Sequence, residues 1–147
     1  MKKLLVASSL FLFTLSSQAQ LATGENVAVT STASGKVRGY INNSIYTYKG
    51  IPYAEAKRFE AAQKVKPWNA VRSSLTYGPV APLMDPTTNV QDESEFVFNH
   101  SWGYTNENCL VLNVWTPGIN DGKKRPVLFW IHGGGFTAGS SQELPSY

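Results

Sequence analysis

Cysteine is nearly missing from this chain of 147 residues: Cys109 stands alone, so no disulfide can close within it. Histidine is almost as scarce, with only His100 and His132, and one cysteine with two histidines cannot furnish the four ligands of a structural zinc site. Charge is sparse as well, at 16% Asp, Glu, Lys and Arg with a net of +3. Two of the 13 basic residues, Lys2 and Lys3, fall in a leader described below, which leaves 11 against 10 acidic residues. A nucleic-acid-binding surface therefore has no electrostatic support. No apolar run reaches the roughly 20 residues of a membrane span, so no stable membrane insertion is expected. What is present, 42% hydrophobic and 12% aromatic residues, suffices for the packed core of about one domain.

The first residues read as a targeting segment: Met1-Lys2-Lys3, an apolar run from Leu4 to Leu15, then polar Ser16 to Ala19. Small Ser17 and Ala19 at alternate positions suit cleavage after Ala19. The expectation is a signal peptide over residues 1–19 and a mature chain that is secreted or periplasmic.

Beyond it, turn signals divide the chain. Lys36 to Ile41 and Ile45 to Lys49, rich in Val, Ile, Tyr and Thr, flank Asn42-Asn43-Ser44 and read as a hairpin. Gly50-Ile51-Pro52-Tyr53 reads as the end of its second strand. Pro67, Pro79, Pro82 and Pro86 then interrupt the chain, so residues 51–105 are expected to be long irregular connections with one short helical piece near Ala54 to Gln63. Two apolar runs follow, Cys109 to Thr116 and Val127 to Ile131. Runs of this kind suit strands buried on both faces of a sheet in an α/β protein, and the expectation is that they are neighbours. Gly118 to Arg125, with Lys123, Lys124 and Arg125, reads as a solvated loop between them.

Directly after the second run stands His132-Gly133-Gly134-Gly135-Phe136. Consecutive glycines cost backbone entropy, so their position at a strand end calls for bare backbone. A phosphate loop fits poorly, since neither Gly-Lys-Ser/Thr nor Gly-x-Gly-x-x-Gly is present. An oxyanion hole fits well, each preorganised backbone donor being worth about 2.7 to 4 kcal/mol in the transition state. A plain glycine turn between strand and helix is the other reading that these residues leave open.

Wider similarity bears on that choice. His-Gly-Gly-Gly-Phe after a hydrophobic strand resembles the oxyanion motif of α/β-hydrolase esterases and lipases. Asn106-Glu107-Asn108-Cys109-Leu110-Val111-Leu112-Asn113-Val114 resembles the signature of the type-B carboxylesterase and cholinesterase family. Further matches come in that family's order: Val37-x-Gly39, Tyr48-x-Gly50-Ile51-Pro52-Tyr53-Ala54, Arg58-Phe59, Lys66-Pro67-Trp68, Tyr77-Gly78-Pro79, and Gly139-Ser140 with Tyr147. The resemblance implies the N-terminal part of an α/β-hydrolase fold, a small-molecule ester substrate and no cofactor. It makes Gly134 and Gly135 the backbone donors of the oxyanion hole, has Gly133 and Phe136 shape that loop and bind substrate, with Phe136 on the acyl side of the pocket, and makes Arg58 and Glu107 a buried structural ion pair tying an early loop to the Cys109-Leu110 strand. It gives His132 a loop-ordering role rather than that of general base. His100 matches no motif and reads as a surface histidine. Ser140 and Ser141 lack the nucleophile frame.

The departures from the pattern are also informative. No Gly-x-Ser-x-Gly occurs in these 147 residues, so the nucleophile, acid and base that the family uses are expected outside this segment, in a longer protein. The cysteine that in relatives follows Gly-Pro-Val is replaced by Ala81, which removes the family's disulfide and leaves Cys109 as a buried thiol. Asn108 replaces an acid of the signature. The choline-binding tryptophan of cholinesterases would align near Asn99, which gives choline specificity no support. Two classes of function follow: a secreted serine hydrolase, or an inactive cholinesterase-like binding or adhesion protein.

Overall fold

The computed structural model describes residues 20–82, 104–133 and 139–142. Residues 1–19, 83–103 (with Asn99 and His100), 134–138 (with Gly134, Gly135 and Phe136) and 143–147 (with Tyr147) lie outside them. Among the described residues seven strands are formed: β1 (Leu21–Ala22), β2 (Val29–Ser31), β3 (Lys36–Arg38), β4 (Tyr40–Asn42), β5 (Ile45–Pro52), β6 (Arg72–Ser73) and β7 (Val111–Thr116). They make two sheets. One has the order β1-β4-β5-β7, antiparallel throughout; in the other, β2 and β6 flank β3, with β6 parallel to it.

The expected hairpin is present. Tyr40 to Asn42 pairs with Ile45 to Thr47, and Asn42 lies opposite Ile45. The two-residue turn has both central residues at positive φ, Asn43 at 48° and Ser44 at 65°, the conformation whose twist matches that of the flanking strands. The first run of the hairpin is not one strand, however. It divides at Gly39 because the chain there presses on its neighbour: a Cβ on Gly39 would fall on the Thr47 carbonyl and 2.7 Å from the Tyr48 ring. The Gly39 amide donates to the Ala28 carbonyl instead, at 3.0 Å, and the chain passes from one sheet to the other.

β5 does not end at Gly50 as its Gly-Ile-Pro-Tyr step suggested. It continues to Pro52 through a bulge. Tyr48 faces Val114 and Ile51 faces Leu112, so β5 spends one residue more than β7 between these pairs. Gly50 takes a φ of +67° there, as bulge glycines do, while the Lys49 amide turns to the Ser74 carbonyl at 2.9 Å. The Lys49 ammonium lies 3.9 Å from the Tyr77 ring centroid, within cation–π range.

Ala28, Val37 and Tyr48 form the buried core, with Ile41, Tyr46, Ile51, Trp68 and Ile119 packed on it. Trp68 is held by its indole N–H donating to the Lys36 carbonyl at 2.8 Å. The Tyr48 hydroxyl and the Ser74 hydroxyl are buried without a hydrogen-bond partner. Burial, with the neighbouring Tyr46, pushes the Tyr48 phenol above its ordinary pKa, because desolvation disfavours the phenolate.

Three expectations are corrected. No helix forms over Ala54 to Gln63, although Ala, Glu, Lys and Gln favour one. The segment is a turn instead, closed by hydrogen bonds between the Glu55 and Gln63 backbones of 3.0 and 2.7 Å, with Phe59 at φ 66°. Tertiary pairing has overridden propensity. The run from Val127 to Ile131 is not a strand: Leu128 is 93% and Ile131 77% exposed, and the neighbour of β7 is β5. An apolar segment becomes a buried strand only where another element covers it, and no described element does so here. For the same reason β7 is not buried on both faces, Trp115 being 45% exposed.

The Gly118 to Arg125 loop is a surface turn, as expected. Asp121 accepts from the Lys123 amide at 3.1 Å and from Arg125 Nη1 at 3.0 Å, a second contact from Arg125 completing an i,i+4 ion pair. The Arg125 guanidinium, and next the Lys123 amide, hold the Asp121 carboxyl well below the usual carboxylate range. Cys109 is a free, half-buried thiol rather than a fully buried one. Among the described residues, no helix is long and apolar enough to cross a membrane, and no group of His, Cys, Asp and Glu could hold a metal ion.

Candidate functional site

The glycine segment is approached from both ends. At its entry, His132 and Gly133 are exposed, and the His132 ring Nδ1 lies 2.8 Å from the Gly133 carbonyl oxygen. A carbonyl can only accept, so in this contact Nδ1 is the donor. This side chain is thus engaged with the loop backbone, in keeping with an ordering role. At the exit, Gly139 is buried with φ +107°. A Cβ at Gly139 would collide with the Gly133 carbonyl and approach His132 Nδ1 to 2.8 Å. Entry and exit therefore touch, and only glycine permits this approach.

The exit continues into a turn. Ser140 is buried, and its hydroxyl accepts from the Gln142 amide at 3.1 Å. From there two side-chain amides run to the sheet. Asn113, in the middle of β7, donates from Nδ2 to the Ser141 hydroxyl at 3.2 Å and accepts at Oδ1 from the Gly50 amide at 3.0 Å. Gln142 donates from Nε2 to the Gly78 carbonyl at 2.9 Å. Gly78 itself lies against Gly50, whose hypothetical Cβ would sit 2.8 Å from the Gly78 nitrogen. The β5 bulge, Gly78 and the exit of the glycine segment are thus one hydrogen-bonded assembly.

The other expected pair forms but is not buried. Arg58 Nε donates to Glu107 Oε1 at 3.1 Å, with a second contact from Nη2 to the same oxygen. The two side chains are 57% and 52% exposed. Glu107, by hydrogen bond and by charge, raises the Arg58 pKa further. The two residues do connect the 55–63 turn to the segment before β7, as expected. Water screening leaves such a pair a modest contribution, so the buried reading is corrected. A cavity of about 540 Å³ lies nearby, lined by Lys49, Glu55, Arg72, Tyr77 and Glu107 among others. Neither His132 nor Gly133 lines it.

Sequence reasoning singled out Gly133 and His132, which the structure brings to Gly139, and Arg58 with Glu107, which it pairs. It assigned no role to Asn113, Ser141, Gln142 or Gly78 in holding the segment. The available signals were a polar Asn113 in the middle of a mainly apolar strand and the presence of Asn113 and Gly78 within matched motifs.

The fold is that of an α/β-hydrolase, a strand-rich part of which the chain represents. The sequence profile of the Carboxylesterase family matches residues 25–147, and the chain belongs to that family. It is 39% identical to phenmedipham hydrolase of Pseudarthrobacter oxydans over 124 residues, covering 81% of this chain and 24% of that protein. It is 35% identical to acetylcholinesterase of Bungarus fasciatus, covering 76% and 19%. Among solved structures, an esterase from Clostridium hathewayi described as able to hydrolyse aliphatic aromatic polyesters superposes with a TM-score of 0.73 at 39% identity, covering 84% of this chain and 24% of that one. A Geobacillus stearothermophilus carboxylesterase gives 0.61 at 39%, covering 78% and 21%. The chain thus spans between about a fifth and a quarter of the length of these relatives.

Proposed function

We propose that this segment belongs to a secreted serine hydrolase that cleaves carboxylic esters through an acyl-enzyme, and that it contributes the oxyanion hole. The observation that carries the reading is the family match running through His132-Gly133-Gly134-Gly135-Phe136. In this reading the amides of Gly134 and Gly135 receive the carbonyl oxygen of the ester as it becomes an oxyanion, stabilising the tetrahedral intermediate more than the ground state. Gly133 and Phe136 shape the loop, and a side chain at either donor glycine would intrude on the substrate carbonyl. The Ser/acid/His triad belongs to a part of the protein outside these residues. Serine attacks the carbonyl, histidine takes its proton and returns it to the departing alcohol, and water then releases the acid. Arg58 and Glu107 serve a structural role.

The test is hydrolysis of a p-nitrophenyl acyl ester by the full-length protein. Expected is saturable turnover abolished by a phosphonate that labels the nucleophile, with Gly134→Ala lowering kcat by about 10²–10³. A full-length protein without turnover would refute the enzyme in favour of an inactive binding protein. For the leader, the exported protein should begin at Gln20; a mature protein that retains Met1 would refute cleavage.

A further inference from the structure

We infer that Asn113, through Ser141, and Gln142 are positioning residues that fix the exit of the glycine segment relative to its entry, and so govern the oxyanion chemistry proposed for that segment. The inference rests on the ester-hydrolase reading and adds to it residues that lie outside the His-Gly-Gly-Gly motif.

The geometry that carries it is a short path between two fixed points. Gly139 is buried against the Gly133 carbonyl, so the entry and the exit of the glycine segment are held in contact. Gly139 has no side chain with which to hold itself there. The residues after it do: Ser141 accepts from Asn113 Nδ2 at 3.2 Å and Gln142 donates to the Gly78 carbonyl at 2.9 Å. Both anchors end on one place, because Asn113 Oδ1 accepts the Gly50 amide at 3.0 Å and Gly78 abuts Gly50. The β5 bulge is thereby the platform on which the exit rests.

The chemistry of a primary amide suits this task. Asn113 must accept from a backbone N–H at one end and donate to a hydroxyl at the other, which a neutral amide does at once and without a charge near a developing anion. Leucine would fit the apolar run of β7 and would make neither bond. Gln142 must donate to a carbonyl, which its isosteric acid cannot do as a carboxylate. A displacement of about 1 Å at a catalytic group can cost about a hundredfold in rate, so anchors remote from the substrate are able to govern kcat.

The experiment uses the full-length protein and two readouts, p-nitrophenyl ester turnover and affinity for a trifluoromethyl ketone that forms a tetrahedral adduct. The variants are Ser141→Ala combined with Gln142→Glu, each single change, and Ser141→Thr. In the combined variant kcat is expected to fall about tenfold or more and ketone affinity by a similar factor, with KM within about twofold, as befits an interaction expressed in the transition state. Ser141→Thr, which keeps the hydroxyl, restores most of the loss of Ser141→Ala. If the combined variant does not fold, Ser141→Ala alone carries the test, since Ser141 is exposed. A lowered melting temperature with kcat and ketone affinity unchanged would show a purely structural tether and overturn the inference. A wild type that neither turns over ester nor takes the ketone overturns the ester-hydrolase reading, and the positioning role with it.

Discussion

Gly50 and Gly122 share a backbone conformation, each at φ +67°, and differ in what surrounds them. A Cβ at Gly122 would meet nothing within 4 Å. At Gly50 it would sit 2.8 Å from the Gly78 nitrogen and 3.1 Å from the Thr76 carbonyl, both of them backbone. Replacing each with alanine therefore separates conformational strain from steric contact. The left-handed conformation costs a non-glycine residue about 1 kcal/mol, partly offset by about 0.4–1 kcal/mol because alanine restricts the unfolded chain. Gly122→Ala should accordingly cost at most about 1 kcal/mol. Gly50→Ala carries the same two contributions together with overpacking against unyielding backbone, typically about 1–3 kcal/mol, and should be the more destabilised by about 2 kcal/mol. Urea unfolding followed by tryptophan fluorescence reads this as a midpoint difference of about 1 M at unchanged slope. Equal midpoint shifts would refute the claim that Gly50 is required by its contact with Gly78.

Two further outcomes are expected. Ser44→Gly, at the second central position of the β4–β5 turn where φ is 65°, should stabilise the protein by about 0.5 kcal/mol; a loss in thermal denaturation would contradict the strain assigned to Ser44. The raised pKa of Tyr48 means that the unfolded chain loses this proton first, so the stability it confers is intact below about pH 10 and is lost as pH rises through the folded-state value, with a slope of at most about 1.4 kcal/mol per pH unit. Tyr48→Phe should remove that part of the alkaline slope while costing little, because the hydroxyl has no partner to lose; an unchanged slope would assign the effect to other groups.

How much of this was legible in the sequence depends on whether the controlling interaction is local. The hairpin could be read because Asn43 and Ser44 carry their own turn preference, and β7 because its apolar residues form a continuous run. The helix expected over Ala54 to Gln63 failed because composition records propensity and not the Glu55–Gln63 backbone pairing that competes with it. The run from Val127 to Ile131 reads as a buried strand and is neither buried nor a strand, since a strand is defined by its neighbours. In the candidate site, the glycines stood out by themselves, whereas the contacts of Asn113 and Gln142 join residues 28 and 64 positions apart, a separation on which a local pattern is silent. The exposure of the Arg58–Glu107 pair was equally invisible, because the motif specifies partners and not depth.

The passage of the chain through Gly39 has a consequence for how the protein opens. β3 and β4 belong to different sheets and are one residue apart, with that residue's amide bonded to Ala28 ahead of β2. Neither sheet can slide or peel without pulling, through Gly39, on the strand joined to it in the other. The two sheets are expected to open as a single cooperative unit, their amides exchanging with solvent together in a hydrogen-exchange experiment and more slowly than those of the turns and of the exposed run before the glycines.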